Sequence, residues 1–176
     1  MDSYSFDYEI FFAGKDDPRD GGILIGQDQV PVYFEFETEY VNPSSTRTTI
    51  LSNQQPVALL DWNMGGTNLG VAIIGGTQML MEHLVMPGTY PGARRFQSGN
   101  GGFYEWRRCY DDPQSYELFH AYAHNTMPIA VFRKFAQETP SPLGPLLGKL
   151  EYGFADAPFL LEVILTLSLN RWLDLQ

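Results

Sequence analysis

The sequence predicts a mainly β fold, a β-barrel of about twelve short strands around one C-terminal hydrophobic α-helix. Three observations carry that reading. Residues 157–176 form the only stretch that suits a substantial helix, and their apolar side chains point in every direction of a 3.6-residue period, so the helix has to be surrounded. The rest of the chain divides into about twelve short segments separated by Gly, Pro and Asn turn signals, the pattern of an all-β protein. The dimensions agree: a helix of about 16 residues spans about 24 Å and a strand of seven residues about 23 Å. A barrel of about twelve strands leaves an interior near the ~10 Å width of a helix.

The elements follow in order. Residues 5–12 alternate, with Phe6, Tyr8, Ile10 and Phe12 on one face and Asp7 and Glu9 on the other, which predicts a half-buried strand. A polar loop over 14–22, holding Asp16, Asp17 and Asp20, leads to the short apolar run 23–25. Residues 32–38 alternate again, Val32, Phe34 and Phe36 against Tyr33, Glu35 and Glu37. After a turn at 42–45, segments 46–51 and 57–62 read as a hairpin with a slightly long loop. Gly65-Gly66 and Gly75-Gly76 bracket a continuous apolar strand over 69–74, and 78–84 alternates loosely. The loop 86–92 holds too much Pro and Gly for a ladder. Segments 94–97 and 103–109 form a hairpin about a Gly-rich turn, 116–122 and 129–135 give two more strands, and 146–152 the last. Asp156 suits an N-cap, with Pro158 in the first helical turn, where a missing N–H costs nothing.

At 176 residues the chain fits one domain, 1–176, with enough buried surface for a core without staples. Cys109 is its one cysteine, so no internal disulfide forms, and residues 1–7 carry acids where a signal peptide carries bases; both point to a cytoplasmic setting. A net charge of −10 disfavours nucleic acid and anionic membrane. Residues 90–135 run against that balance, with six cations against four acids. The terminal helix is interrupted by Glu162, Asn170 and Arg171, which argues against a transmembrane span. Its core positions are Phe159, Leu161, Ile164, Leu165, Leu169 and Trp172.

The order of these pieces resembles the tubby C-terminal-like superfamily, shared by tubby proteins, phospholipid scramblases and LURP-one-related proteins, and more narrowly a set of mushroom proteins of that class. The stretches that carry it are Pro56-Val57-Ala58-Leu59-Leu60-Asp61-Trp62, Gly102-Phe103-Tyr104-Glu105-Trp106-Arg107, Ile129-Ala130-Val131-Phe132-Arg133-Lys134 and the helical Leu161-Glu162-Val163-Ile164-Leu165-Thr166. The resemblance implies the helix-filled barrel and, through tubby proteins, a phosphoinositide headgroup as a possible ligand. The scramblases' membrane helix and Cys-rich segment have no counterpart here.

The candidate site residues are basic. Arg94 and Arg95 lie across a hairpin from Arg107 and Arg108, and Arg133 and Lys134 stand two strands later, so one member of each pair can share a face that holds a phosphate or carboxylate. The competing reading pairs them with Glu105, Glu117, Asp111 and Asp112. His120 and His124 stand about 13 Å apart if their segment is a strand, so with only His83 in reserve no metal site is predicted. Asp16, Asp17 and Asp20 lack the spacing of a Ca²⁺ loop. Cys109 reads as a small strand hydrophobe rather than a nucleophile. Trp62, Tyr104, Trp106, Tyr116 and Tyr122 are of the type that stacks sugars or bases, but in alternating strands they read mostly as core, with Tyr90 as an exposed contact. No phosphate loop, dinucleotide fingerprint or nucleophile elbow is present. The reading is a non-enzymatic binding or scaffold protein without cofactor or metal, its partner an unknown protein or small molecule; the alternatives are a phospholipid- or phosphoinositide-binding membrane adaptor and a hydrolase.

Overall fold

The computed structural model describes residues 5–15, 17–26, 33–124 and 127–176; the readings of residues 1–4, Asp16, Val32, Asn125 and Thr126 lie outside them. Among the described residues the strands number thirteen: β1 Tyr8–Gly14, β2 Gly22–Gly26, β3 Tyr33–Asn42, β4 Ser45–Ser52, β5 Gln55–Asn63, β6 Gly70–Ile74, β7 Thr77–Leu80, β8 Met86–Pro87, β9 Arg94–Gln97, β10 Phe103–Arg108, β11 Tyr116–His120, β12 Ala130–Thr139 and β13 Leu146–Tyr152. Helix α1 spans Ala157–Asp174, and 3-10 turns occupy Pro18–Asp20 and Met81–Leu84.

All thirteen form one antiparallel sheet in the order β7-β6-β5-β4-β3-β2-β1-β13-β12-β11-β10-β9-β8. Strands consecutive in the chain pair throughout, with the exception of β7 and β8, and β1 pairs with β13 to join the two halves. Laid flat, thirteen strands would set the two edges about 58 Å apart. The chain from Leu80 to Met86 reaches at most about 22 Å. The sheet is therefore curled back on itself.

The closed barrel expected from the sequence is corrected on this point: the hydrogen-bonded ladder stays open between β7 and β8. The turn Met81–Leu84 stands at that seam, against β6 and β7 on one side and β9 on the other. It sinks Met81 and Leu84 into the core. Local corrections follow from turn chemistry. Residues 78–84 are half strand, half 3-10 turn. Asn53 and Gln54 take positive φ in a two-residue turn, so β4 and β5 meet with no spare loop. Met86 and Pro87 do pair, with Arg95 and Arg94, because an edge strand can spare the donor that proline lacks.

Period-2 alternation turns Ile10, Phe12, Phe34, Phe36, Ile50, Leu60, Trp62, Trp106, Leu118, Phe132 and Leu150 to the inside. They meet α1, whose residues Phe159, Leu160, Leu161, Val163, Ile164, Leu165, Leu167 and Leu169 are all buried. Asp156 caps the helix, its Oδ1 accepting from the Phe159 N–H at 3.0 Å. Three of the polar residues of α1 have partners across the fold. Trp106 Nε1 donates to Thr166 Oγ1 at 2.9 Å, Glu162 accepts from Ser98 Oγ and the Gly99 N–H, and the Arg171 guanidinium lies 4.7 Å from the Phe132 ring centre. No described helix is long and apolar enough to cross a membrane.

Candidate functional site

The six basic residues do not converge on one face; alternation splits each pair. Arg94 stands opposite the buried Trp106, and Arg108 opposite Tyr116, so both point inward at the C-terminal end of α1. There Asp174 gathers them. It accepts from Arg94 Nη2 at 2.8 Å, Arg108 Nε at 2.8 Å and Tyr116 Oη at 2.6 Å. Burial alone raises a carboxyl, but here the bonds from Arg108, Arg94 and Tyr116 outweigh it and hold Asp174 below its ordinary range. Tyr116 is pushed up, by burial first and then by its bond to that carboxylate.

Arg95 and Arg107 take the outer face. Arg107 donates from Nε to Glu105 Oε1 at 2.8 Å and lies between the rings of Tyr90 and Phe119, 4.3 Å from each centre. Glu105, fully buried, also accepts from the Thr89 N–H at 2.6 Å, so the loop that follows β8 is tied down over β10. Burial raises this carboxyl, and the bonds from Thr89 and Arg107 more than reverse it. Arg95 stacks on Tyr122. Arg133 donates to Cys109 Sγ at 3.2 Å and stands 3.8 Å from Glu117. Lys134, Arg108 and Arg171 border a pocket of about 240 Å³ together with Asp174 and Tyr116.

A larger cavity, about 730 Å³, opens at the sheet's seam. Its floor is Trp62 from β5 and Trp172 from α1, ring centres 4.9 Å apart, and its walls are the Met81–Leu84 turn, β8 and the loop after β5. Arg19, clamped to the Asp17 carboxylate with Nη2 to Oδ2 at 2.7 Å, lays its guanidinium 4.8 Å from the Trp172 ring centre. Gly70 holds the loop's return at φ +129°, where a Cβ would stand 1.9 Å from the Asp61 carbonyl oxygen.

Two polar atoms at this cavity are buried without a hydrogen-bond partner among the described residues: Glu82 Oε2 and Trp172 Nε1. The other Glu82 oxygen accepts from the Leu69 N–H at 2.7 Å, which fixes the carboxylate in place. An unpaired buried polar atom costs about 1–3 kcal/mol, and a ligand that pairs it recovers that cost. Sequence reasoning missed this site. Trp62 registers mostly and Trp172 wholly as core in an apolar pattern, and Glu82 only as one position in a loosely alternating stretch, since the meeting of the two tryptophans depends on how far the sheet curls. The one local signal is the Gly-Gly-Thr-Asn loop after Trp62, too polar to pack and too long for a tight turn.

The other candidates resolve as follows. Trp62, Tyr104, Trp106 and Tyr116 are buried, while Tyr122, at φ +64°, is exposed. Cys109 is buried and its thiol pushed up to about 11, chiefly by burial, so it stays protonated at neutral pH. No group of three His, Cys, Asp or Glu among the described residues is placed to hold a metal.

Neither a curated protein nor a solved structure matches the chain. The profile of a family of unknown function, DUF6593, matches residues 16–168, from the first 3-10 turn to the middle of α1. With most of its length covered by that match, the chain belongs to the DUF6593 family of unknown function.

Proposed function

We propose that the protein is a non-enzymatic, intracellular binding protein on a tubby-like frame, a nearly closed barrel filled by its helix, and that its small-molecule ligand enters the seam cavity. The observation that carries this is the pair of unpartnered atoms, Glu82 Oε2 and Trp172 Nε1, on residues that line the opening between edge strands β7 and β8. The filled interior favours such a peripheral site over a central one. Binding is favoured over turnover because Glu82 is the sole carboxylate side chain among the described lining residues, with no second one for acid–base work and no cysteine or serine beside a base. Ligand-observed NMR against a metabolite library tests this. Hits should be lost in Thr67→Trp, which fills the cavity from its exposed rim without touching the packed tryptophans. A library without any hit sensitive to that change, or a hit chemically converted in a Glu82-dependent way, overturns it.

The second reading is the phospholipid or phosphoinositide adaptor, favoured by Arg108, Lys134 and Arg171 meeting at the smaller pocket. Asp174 already offsets part of that charge, and the net −10 opposes an anionic surface. Co-sedimentation with phosphoinositide vesicles separates the two readings: pelleting that is lost with salt or in Arg108→Glu plus Lys134→Glu supports the adaptor.

A further inference from the structure

We infer that the ligand of the seam cavity is a neutral polyhydroxyl compound, a sugar or an alditol; this rests on the binding reading above. Charge is the first reason. An anion approaching the floor meets the Glu82 carboxylate, which has an oxygen without a partner. A cation finds the indole faces that would attract it already taken by the Arg19 guanidinium, which is paired with Asp17. His83, the remaining titratable lining side chain, is exposed on the rim, away from that floor. The environment suits a ligand without net charge.

Hydrogen-bond parity is the second reason. Trp172 Nε1 can only donate and a carboxylate oxygen such as Glu82 Oε2 can only accept, so the ligand has to bring an acceptor to one and a donor to the other. A hydroxyl group does both, and a polyol brings several in fixed relation. Glu82 and Trp172 both line the cavity. At the rim Asn63 Nδ2 donates to Asn68 Oδ1 at 3.0 Å, which leaves the Asn63 carbonyl side and a further Asn68 N–H to face more hydroxyls.

Shape is the third. A flat heteroaromatic ligand would need an open indole face, but Trp62 is only 2% exposed, and Trp172 has Trp62 on one flank and Arg19 over its ring. Indole edges and the aliphatic surfaces of Leu69 and Val85 remain, and they suit the C–H faces of a saturated ring better than a stacked base.

The test is titration calorimetry with matched probes: glucose, glucose 6-phosphate and glucosamine, the same series built on mannose and galactose, the alditols mannitol and sorbitol, and adenosine as the flat comparator. At least one neutral sugar or alditol should bind, its charged analogues tenfold or more weaker, and Glu82→Gln and Trp172→Phe should each lower its affinity at least tenfold with the melting temperature kept within a few degrees. If Trp172→Phe does not fold, Glu82→Gln and the rim-filling Thr67→Trp carry the comparison. Stronger binding of a charged analogue or of adenosine, lost in the same variants, overturns the inference and leaves the binding reading standing. An absence of binding by every neutral probe, or binding indifferent to the variants, also overturns it; the metabolite library decides the broader reading separately.

Discussion

At the scale of single residues, Asp174 ties α1 to β9, β10 and β11 through Arg94, Arg108 and Tyr116. Its side chain is 9% exposed while the Arg108 side chain is 42% exposed, so water screens part of the attraction. Asp174→Ala should lower stability by about 1–3 kcal/mol, read by chemical denaturation. The pH dependence has a definite sign. Asp174 and Glu105 both have folded pKa values below the ordinary range, so their stabilisation is complete above about pH 4 and is lost as pH falls through the folded values. Acid titration of the melting temperature should show a steeper fall below about pH 4 in the parent than in Asp174→Asn. Cys109, held as a thiol by burial, should react with iodoacetamide at pH 7.5 far more slowly than a free cysteine peptide, and unfolding should abolish the difference.

At the scale of elements, α1 is the largest single source of buried apolar surface. Eight of its large apolar side chains are buried, each worth about 1.5–3 kcal/mol, which together matches or exceeds the 5–15 kcal/mol stability typical of a domain. A chain lacking residues 159–176 should therefore fail to fold, judged by near-ultraviolet dichroism and the loss of a cooperative melt. Leu165→Asp should come close to the same outcome, because Leu165 is 0% exposed and an unpaired carboxylate there faces no water. A truncated chain that stays monomeric with an unchanged melt would make the helix peripheral. The loop from β5 to β6 is under a different constraint. Gly70→Ala adds a methyl 1.9 Å from a backbone oxygen at a φ that L-residues avoid, so it should displace the loop walling the seam cavity as well as cost stability.

At the scale of the molecule, one curled sheet left open between β7 and β8 sets the distribution of stability. β1 lies at the middle of the strand order between β2 and β13, whereas β7 and β8 are edges that each lack a partner strand on one side. Amide hydrogen exchange should be slowest in β1 and β13 and fastest at β7, β8 and the Met81–Leu84 turn between them. Uniform protection around the whole ring of strands would mean that the seam closes in solution. A ligand in the cavity, held between that turn and Trp172, should slow exchange at the seam selectively.

The mainly β class, the place and capping of the helix, and the inward set Phe159, Leu161, Ile164, Leu165 and Leu169 were legible in the residues themselves, because alternation with period 2 and an all-round apolar helix are local patterns. Which basic side chains point inward was beyond them. Arg94 and Arg108 were readable as one member each of adjacent pairs, but their common partner Asp174 lies 80 and 66 residues further along the chain. The same holds for the open seam and its cavity. Trp62 and Trp172 come together only after the intervening strands have curled through their accumulated twist and register, and no short window of sequence carries that sum.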